Sequence, residues 1–117
     1  MISDKLLNDI AIAIEPEFKF IGIGTGVVPT ITDTLIASEA LRKPAINFID
    51  GSTIIAEIQF DETEANLVNY TNSGAFGGAA TSTINTGALL AGFATSFYKT
   101  NVESITISYE ILIERGA

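Results

Sequence analysis

The stretch from Ser104 to Arg115 leaves the backbone little choice. Ile105, Ile107, Tyr109, Ile111 and Ile113 alternate there with Thr106, Ser108, Glu110, Leu112 and Glu114. Side chains of a strand point to opposite faces with a period of two, so the first set makes one unbroken apolar row. A helix would scatter the same residues around its circumference, and the β-branched enrichment also favours a strand. At about 3.3 Å per residue the segment spans roughly 40 Å, enough to cross a small domain. The rest of the chain is read as material that pairs with this strand and covers its apolar row.

With 117 residues the chain is expected to form a single domain, 1–117. A hydrophobic fraction of 47% and a mean hydropathy of +0.39 are high for a small soluble monomer. Part of the apolar surface is therefore expected to be covered by partner subunits. Six basic residues against fourteen acidic ones leave a formal charge of −8, which disfavours nucleic acid and anionic membrane surfaces as partners. There is no cysteine and no histidine, so thiol nucleophiles, imidazole bases, disulfides and His or Cys zinc sites are not available. Asp4 and Asp9 occupy the place of a basic n-region before the apolar run Ile10 to Ile14, so no signal peptide is expected. The uncharged stretch from Leu67 to Tyr98 is too rich in Gly, Asn, Ser and Thr for a membrane span.

Ser3 to Ile14 reads as the one helix. Ser3 caps it, Leu6, Leu7, Ile10, Ala11 and Ile14 form one stripe, and Pro16 ends it. Phe18 to Gly24 reads as an internal strand. The Gly22-Ile23-Gly24-Thr25-Gly26 run that closes it lacks the final glycine and the helix of a dinucleotide fingerprint, so it is read as a strand leaving through a glycine turn. Asp33 to Glu39 is expected to make one or two helical turns, with Thr32 or Asp33 as cap. Ala45 to Ile49 and Thr53 to Phe60 form a hairpin about Asp50-Gly51. Leu67 to Asn72 is a short strand, Ser73 to Thr86 a long glycine-rich loop, and Gly87 to Tyr98 a strand that Lys99-Thr100-Asn101 turns into the last one. Antiparallel strands joined by turn residues, behind one N-terminal α-helix (3–14), predict a mainly β fold: an antiparallel two-layer β-sandwich.

Little in the chain resembles a catalytic apparatus. The carboxylates of Glu57, Glu110 and Glu114 fall on strand faces opposite the apolar rows, and Asp61, Glu62 and Glu64 share a turn. A calcium loop needs more oxygen ligands and a placed glycine. Serine is plentiful, but no nucleophile elbow or histidine accompanies it. No catalytic residue, no cofactor and no metal are expected.

Two stretches carry a resemblance. Phe20-Ile21-Gly22-Ile23-Gly24-Thr25-Gly26 is followed by Thr32-Asp33-Thr34-Leu35 and then by Glu39 and Arg42. Later come Glu64-Ala65-Asn66, Gly77-Gly78-Ala79-Ala80-Thr81, Gly87-Ala88-Leu89-Leu90-Ala91, Lys99-Thr100 and the alternating strand from Ser104 to Ile111. In this order, from Phe18 to the C-terminus, the chain resembles a family of small phage tail-region structural proteins. It departs from that family in having Thr71-Asn72-Ser73-Gly74-Ala75-Phe76 where a Glu-x-Gly-Leu-Phe segment is usual, and Gly92 where an arginine is usual. The resemblance implies a non-enzymatic structural component of a virion, in a tail, baseplate, fibre or neck, made in the host cytoplasm. Its partners would be its own copies, as a homo-oligomer, and other virion proteins. Leu7, Ile10, Phe76, Leu90, Tyr98 and Leu112 are the assembly contacts expected on this reading. The alternative is a receptor- or glycan-binding module that uses the 73–86 loop, with Tyr70 and Phe76 as its contact aromatics.

Overall fold

A computed structural model describes residues 1–114. Arg115, assigned above to the last strand, lies outside them. The chain is a two-layer β-sandwich with one helix, α1 (Asp4–Ile14), followed by a single 3-10 turn at Glu15–Glu17. The strands are β1 (Phe20–Gly24), β2 (Glu39–Pro44), β3 (Ile46–Asp50), β4 (Thr53–Phe60), β5 (Asn69–Gly77), β6 (Ala88–Tyr98) and β7 (Ile105–Leu112). One sheet has the order β2-β1-β5-β6 and the other β3-β4-β7, with every pairing antiparallel. Among the described residues no helix is long and apolar enough to cross a membrane.

The apolar row of β7 behaves as its alternation demands. Ile107 and Tyr109 are buried between the sheets with Ile54, Ala56, Ile58 and Phe60 of β4 and Ile21 and Ile23 of β1. The Tyr109 hydroxyl donates to Ser73 Oγ of the facing sheet (3.1 Å), which lets a phenol sit in an apolar layer with its polar atom satisfied. α1 begins at the expected cap, where Ser3 Oγ accepts the Leu6 N–H. Leu7 and Ala11 turn inward and Ala11 joins the inter-sheet core, whereas Leu6 is left exposed. Pro16 falls within the 3-10 turn.

Three sequence expectations are corrected. The β3–β4 hairpin closes on Asp50 and Thr53, so its two loop residues are Gly51 and Ser52. Gly51 has φ +62°, the positive φ that a type II′ turn requires at its first central position. Asp33 to Glu39 contains no helical turn. Asp33 Oδ2 instead accepts the Thr30 N–H, and Glu39 opens a strand that local propensity did not indicate. Ser73 to Gly77 is not loop but the second half of β5, buried on both faces. Gly74 and Gly77 lack side chains there because the outer face of that sheet is itself covered.

This covering explains the glycines. Gly22, Gly74 and Gly92 stand side by side across β1, β5 and β6, forming a trough. A Cβ on Gly74 would meet Leu89 Cδ1 at 2.7 Å and Ile36 Cγ2 at 2.8 Å, and one on Gly92 would meet Pro29 Cγ at 2.5 Å. A Cβ on Gly22 would run into the Glu39 carboxylate. Gly22 is thus a strand residue, as expected, and another side chain lies over it. Gly22→Ala is expected to cost about 1–3 kcal/mol, as overpacking does. Urea unfolding would measure this, and an unchanged midpoint would show that Glu39 can move aside freely.

Candidate functional site

The trough holds an ion pair. Glu39 and Arg42 face each other from one strand, β2, with both side chains fully buried. The guanidinium meets the carboxylate edge-on: Nε donates to Oε2 (2.7 Å) and Nη2 to Oε1 (2.6 Å). Its remaining nitrogen, Nη1, donates to the carbonyls of Thr81 (3.2 Å) and Thr86 (3.0 Å), while Glu39 Oε1 also accepts the Asn85 N–H (2.8 Å). The Phe76 ring packs beneath the guanidinium, 4.2 Å from its centroid to Cζ. Two fully desolvated charges are tolerable only when nearly all their hydrogen-bonding capacity is used, and here it is. The consequence is mechanical, because the connection between β5 and β6 (78–87) is fastened to β2 from below.

A second lock joins the acidic turn to the end of β6. Lys99 is fully buried; its ammonium donates to Asn66 Oδ1 and to the Thr100 carbonyl, and the Leu67 N–H bonds to the Lys99 carbonyl (2.8 Å). Glu64 pairs with Lys43 (2.9 Å) across the turn. Thr63 hydroxyl and N–H hydrogen bonds hold the Asp61 carboxyl below the usual range. The Asp61 N–H and then Lys43 do the same for Glu64, and the Thr100 N–H and hydroxyl for Glu103. Burial pushes the Tyr109 phenol up.

The candidate catalytic carboxylates are not brought together as a site. Glu57 and Glu110 lie on the outer face of the β3-β4-β7 sheet, opposite Ser108 and Ile55 respectively. Asp61 and Glu64 are engaged within their turn. No group of three or more Asp or Glu among the described residues is placed to hold a metal. A groove of about 240 Å³ runs between Pro29–Ile31 and β6. Its one ionisable lining residue is Asp33, whose Oδ2 holds the Thr30 N–H.

The six expected assembly residues do not form one surface. Phe76 and Leu7 are buried in their own subunit, so neither can serve as an assembly contact, and Ile10 is partly covered. Leu90 and Tyr98 are exposed on β6 in one sheet, and Leu112 on β7 in the other. Tyr70 is buried as well, stacked at 5.1 Å on Phe97, so the two aromatics assigned to a binding loop are both withdrawn. That loop is also shorter than 73–86.

The sequence reading missed the neighbours of Leu112. Across the outer face of the three-stranded sheet, Ile46 (59%), Phe48 (51%) and Leu112 (55%) are exposed, with Ile55 directly opposite Phe48 on the adjacent strand. Ala45, Ile46, Phe48 and Ile49 make both sides of β3 apolar, a pattern that marks a surface only once the strand order shows β3 to be an edge. No protein-family model and no curated protein matches the chain.

Arg42→Ala leaves a buried carboxylate without its cation, which is expected to cost about 3–5 kcal/mol. Replacing Glu39 and Arg42 together by Leu and Met should cost much less. Denaturant unfolding of the single and double variants checks this; equal losses would mean the pair contributes packing only.

The carboxylates of Asp61, Glu64 and Glu103 have folded-state pKa values lowered below their unfolded ones. Their stabilisation is therefore complete above the ordinary carboxylate range and disappears as the pH falls through the lowered values. Thermal unfolding should weaken below about pH 4, and less steeply in Asp61→Asn. A variant with the same acid profile as the parent would remove Asp61 from this account.

Proposed function

We propose that this chain is a non-enzymatic structural component of a virus particle, in a tail, baseplate, fibre or neck, which assembles through contacts among its own copies and with other virion proteins. The observation that carries the assembly reading is the outer face of the three-stranded sheet. An antiparallel sheet with one face on the core ordinarily turns polar side chains to water on the other. Here Ile46, Phe48, Ile55 and Leu112 interrupt that polar face, and an exposed apolar patch on a small domain marks a contact surface. The virion setting rests on the ordered resemblance. The segments that carry it are structural in this fold: Glu39 and Arg42 form the buried pair, and Asn66 and Lys99 form the second lock.

Light scattering over a concentration series tests the reading. A discrete multimer is expected, and more of it as salt rises, because copies of formal charge −8 repel one another less when screened. Phe48→Glu combined with Leu112→Glu should weaken association at least about a hundredfold, the effect of removing roughly 3 kcal/mol of apolar burial. Circular dichroism should stay unchanged. A strict monomer at every concentration and salt would sink self-assembly.

A further inference from the structure

A β-sandwich with two open sheets has four edges, and three of these are blunted. β2 ends its short edge in Arg42-Lys43-Pro44, residues that discourage a further strand. β3 is capped by the segment before β1, since the Asn47 side-chain amide donates to the carbonyls of Glu15 (3.1 Å) and Phe18 (2.7 Å). β6 is broken by register shifts against β5, and its Leu89 N–H is taken by the Thr34 carbonyl (2.9 Å). β7 has none of these devices. It contains no Pro, Gly or Lys, and its register against β4 is uninterrupted from Ile105 to Leu112.

The direction of its free groups follows from one hydrogen bond. The Ile113 N–H donates to Ser52 of the β4 side (2.9 Å), and backbone groups alternate along a strand. Ile105, Ile107, Tyr109 and Ile111 therefore bond to β4, while Thr106, Ser108, Glu110 and Leu112 present their N–H and C=O groups to the open edge. Among the described residues no backbone hydrogen bond reaches these groups. Ile105 and Ile111, at the two ends of the inner row, are only half covered.

We infer that β7 pairs antiparallel with β7 of a second copy about a two-fold axis at Ser108, joining the two three-stranded sheets into one of six strands. Electrostatics excludes two neighbouring registers, and apolar pairing favours this one. Centring on Glu110 would place two glutamates directly opposite each other, and centring on Tyr109 would leave them diagonal neighbours. Centring on Ser108 sets Glu110 opposite the partner's Thr106 and keeps the glutamates apart. It also lays Ile105 beside the partner's Ile111 and Ile107 beside the partner's Tyr109, apolar pairs that cover the half-exposed ends of the inner row. The inference deepens the assembly reading by naming the partner and the register.

The chain has no cysteine, so a single substitution tests the register. Two residues directly opposite in a hydrogen-bonded pair have Cα atoms about 5.5 Å apart, within disulfide reach. Ser108→Cys should give a covalent dimer on mild oxidation. Thr106→Cys and Glu110→Cys should each cross-link poorly alone and well when mixed. Ser96→Cys, exposed on β6, serves as the collision control. Ser108→Pro removes an outward N–H and no bond to β4, which an edge strand tolerates, so circular dichroism should stay unchanged while the solution mass falls through loss of the two-fold contact. Cross-linking of Ser108→Cys no faster than of Ser96→Cys, or a multimer unaffected by Ser108→Pro, would overturn the edge pairing and leave outer-face assembly standing. A parent chain that is monomeric throughout would overturn both.

Discussion

The buried pair of Glu39 and Arg42 is the interaction on which the rest of this structure depends. Desolvating two charges is costly, and the arrangement holds because the carboxylate meets the guanidinium on two hydrogen bonds and the remaining guanidinium nitrogen meets the carbonyls of Thr81 and Thr86. That requirement spreads outward. Gly22 must lack a side chain so that the carboxylate can lie over β1, and Phe76 must face the same way to support the cation. The β5–β6 connection must stay close enough to deliver its carbonyls. A four-stranded sheet that could have shown water an ordinary polar face is thereby roofed by its own loops. Small residues in β5 and β6 make room for the roof.

Roofing one sheet and not the other gives the molecule two unlike sides. Over the β2-β1-β5-β6 sheet, loop segments tie down through side chains such as Asn72, whose amide donates to the carbonyls of Val27 and Ala37. Among the described residues no comparable segment covers the outer face of β3-β4-β7, where Ile46, Phe48 and Leu112 are exposed. Part of the chain's apolar content fills the inter-sheet layer and part lies exposed, on this face and also at Val27, Ile31, Leu90 and Val102. The proposed assembly uses this second side and its unprotected β7 edge. Both features belong to a three-stranded sheet whose outer face is only partly polar.

Legibility from the sequence followed the range of the determining interactions. The helix cap at Ser3, the two arms of the β3–β4 hairpin and the period of β7 depend on residues within a few positions of one another and could be read directly, although the hairpin turn falls one residue later than expected. β2 could not be, because Glu39 and Arg42 are held extended by partners in β1 and in the 78–87 connection, and no local pattern records those. Ser73 to Gly77 looked like loop because Gly and Ser are poor strand formers. Gly74 answers to Ile36 and Leu89 above the sheet and Gly77 to Glu17 and Leu90, while Ser73 meets Tyr109 in the core, none of which the backbone preference of the segment records. Of the candidate surface, Leu112 was visible as an apolar residue on a polar strand face. Its companions on β3 were not, since only the strand order shows that β3 is an edge whose second apolar side faces out.

What the sequence alone determined was the fold class, an antiparallel β-sandwich behind one capped helix, because alternation, capping and turn chemistry act over short distances. It also set a strongly acidic, apolar-rich composition that disfavours nucleic acid. Tertiary structure decided which apolar residues are core and which are surface. Phe76, Tyr70 and Leu7 went inside and Phe48 stayed outside, although nothing in their own neighbourhoods separates them. Burial is a property of the whole packing arrangement: it depends on which sheet a strand joins and on what passes over that sheet. In this protein the strand order sets the first, and the loops over β2-β1-β5-β6 set the second, one of them fastened to β2 by the buried ion pair.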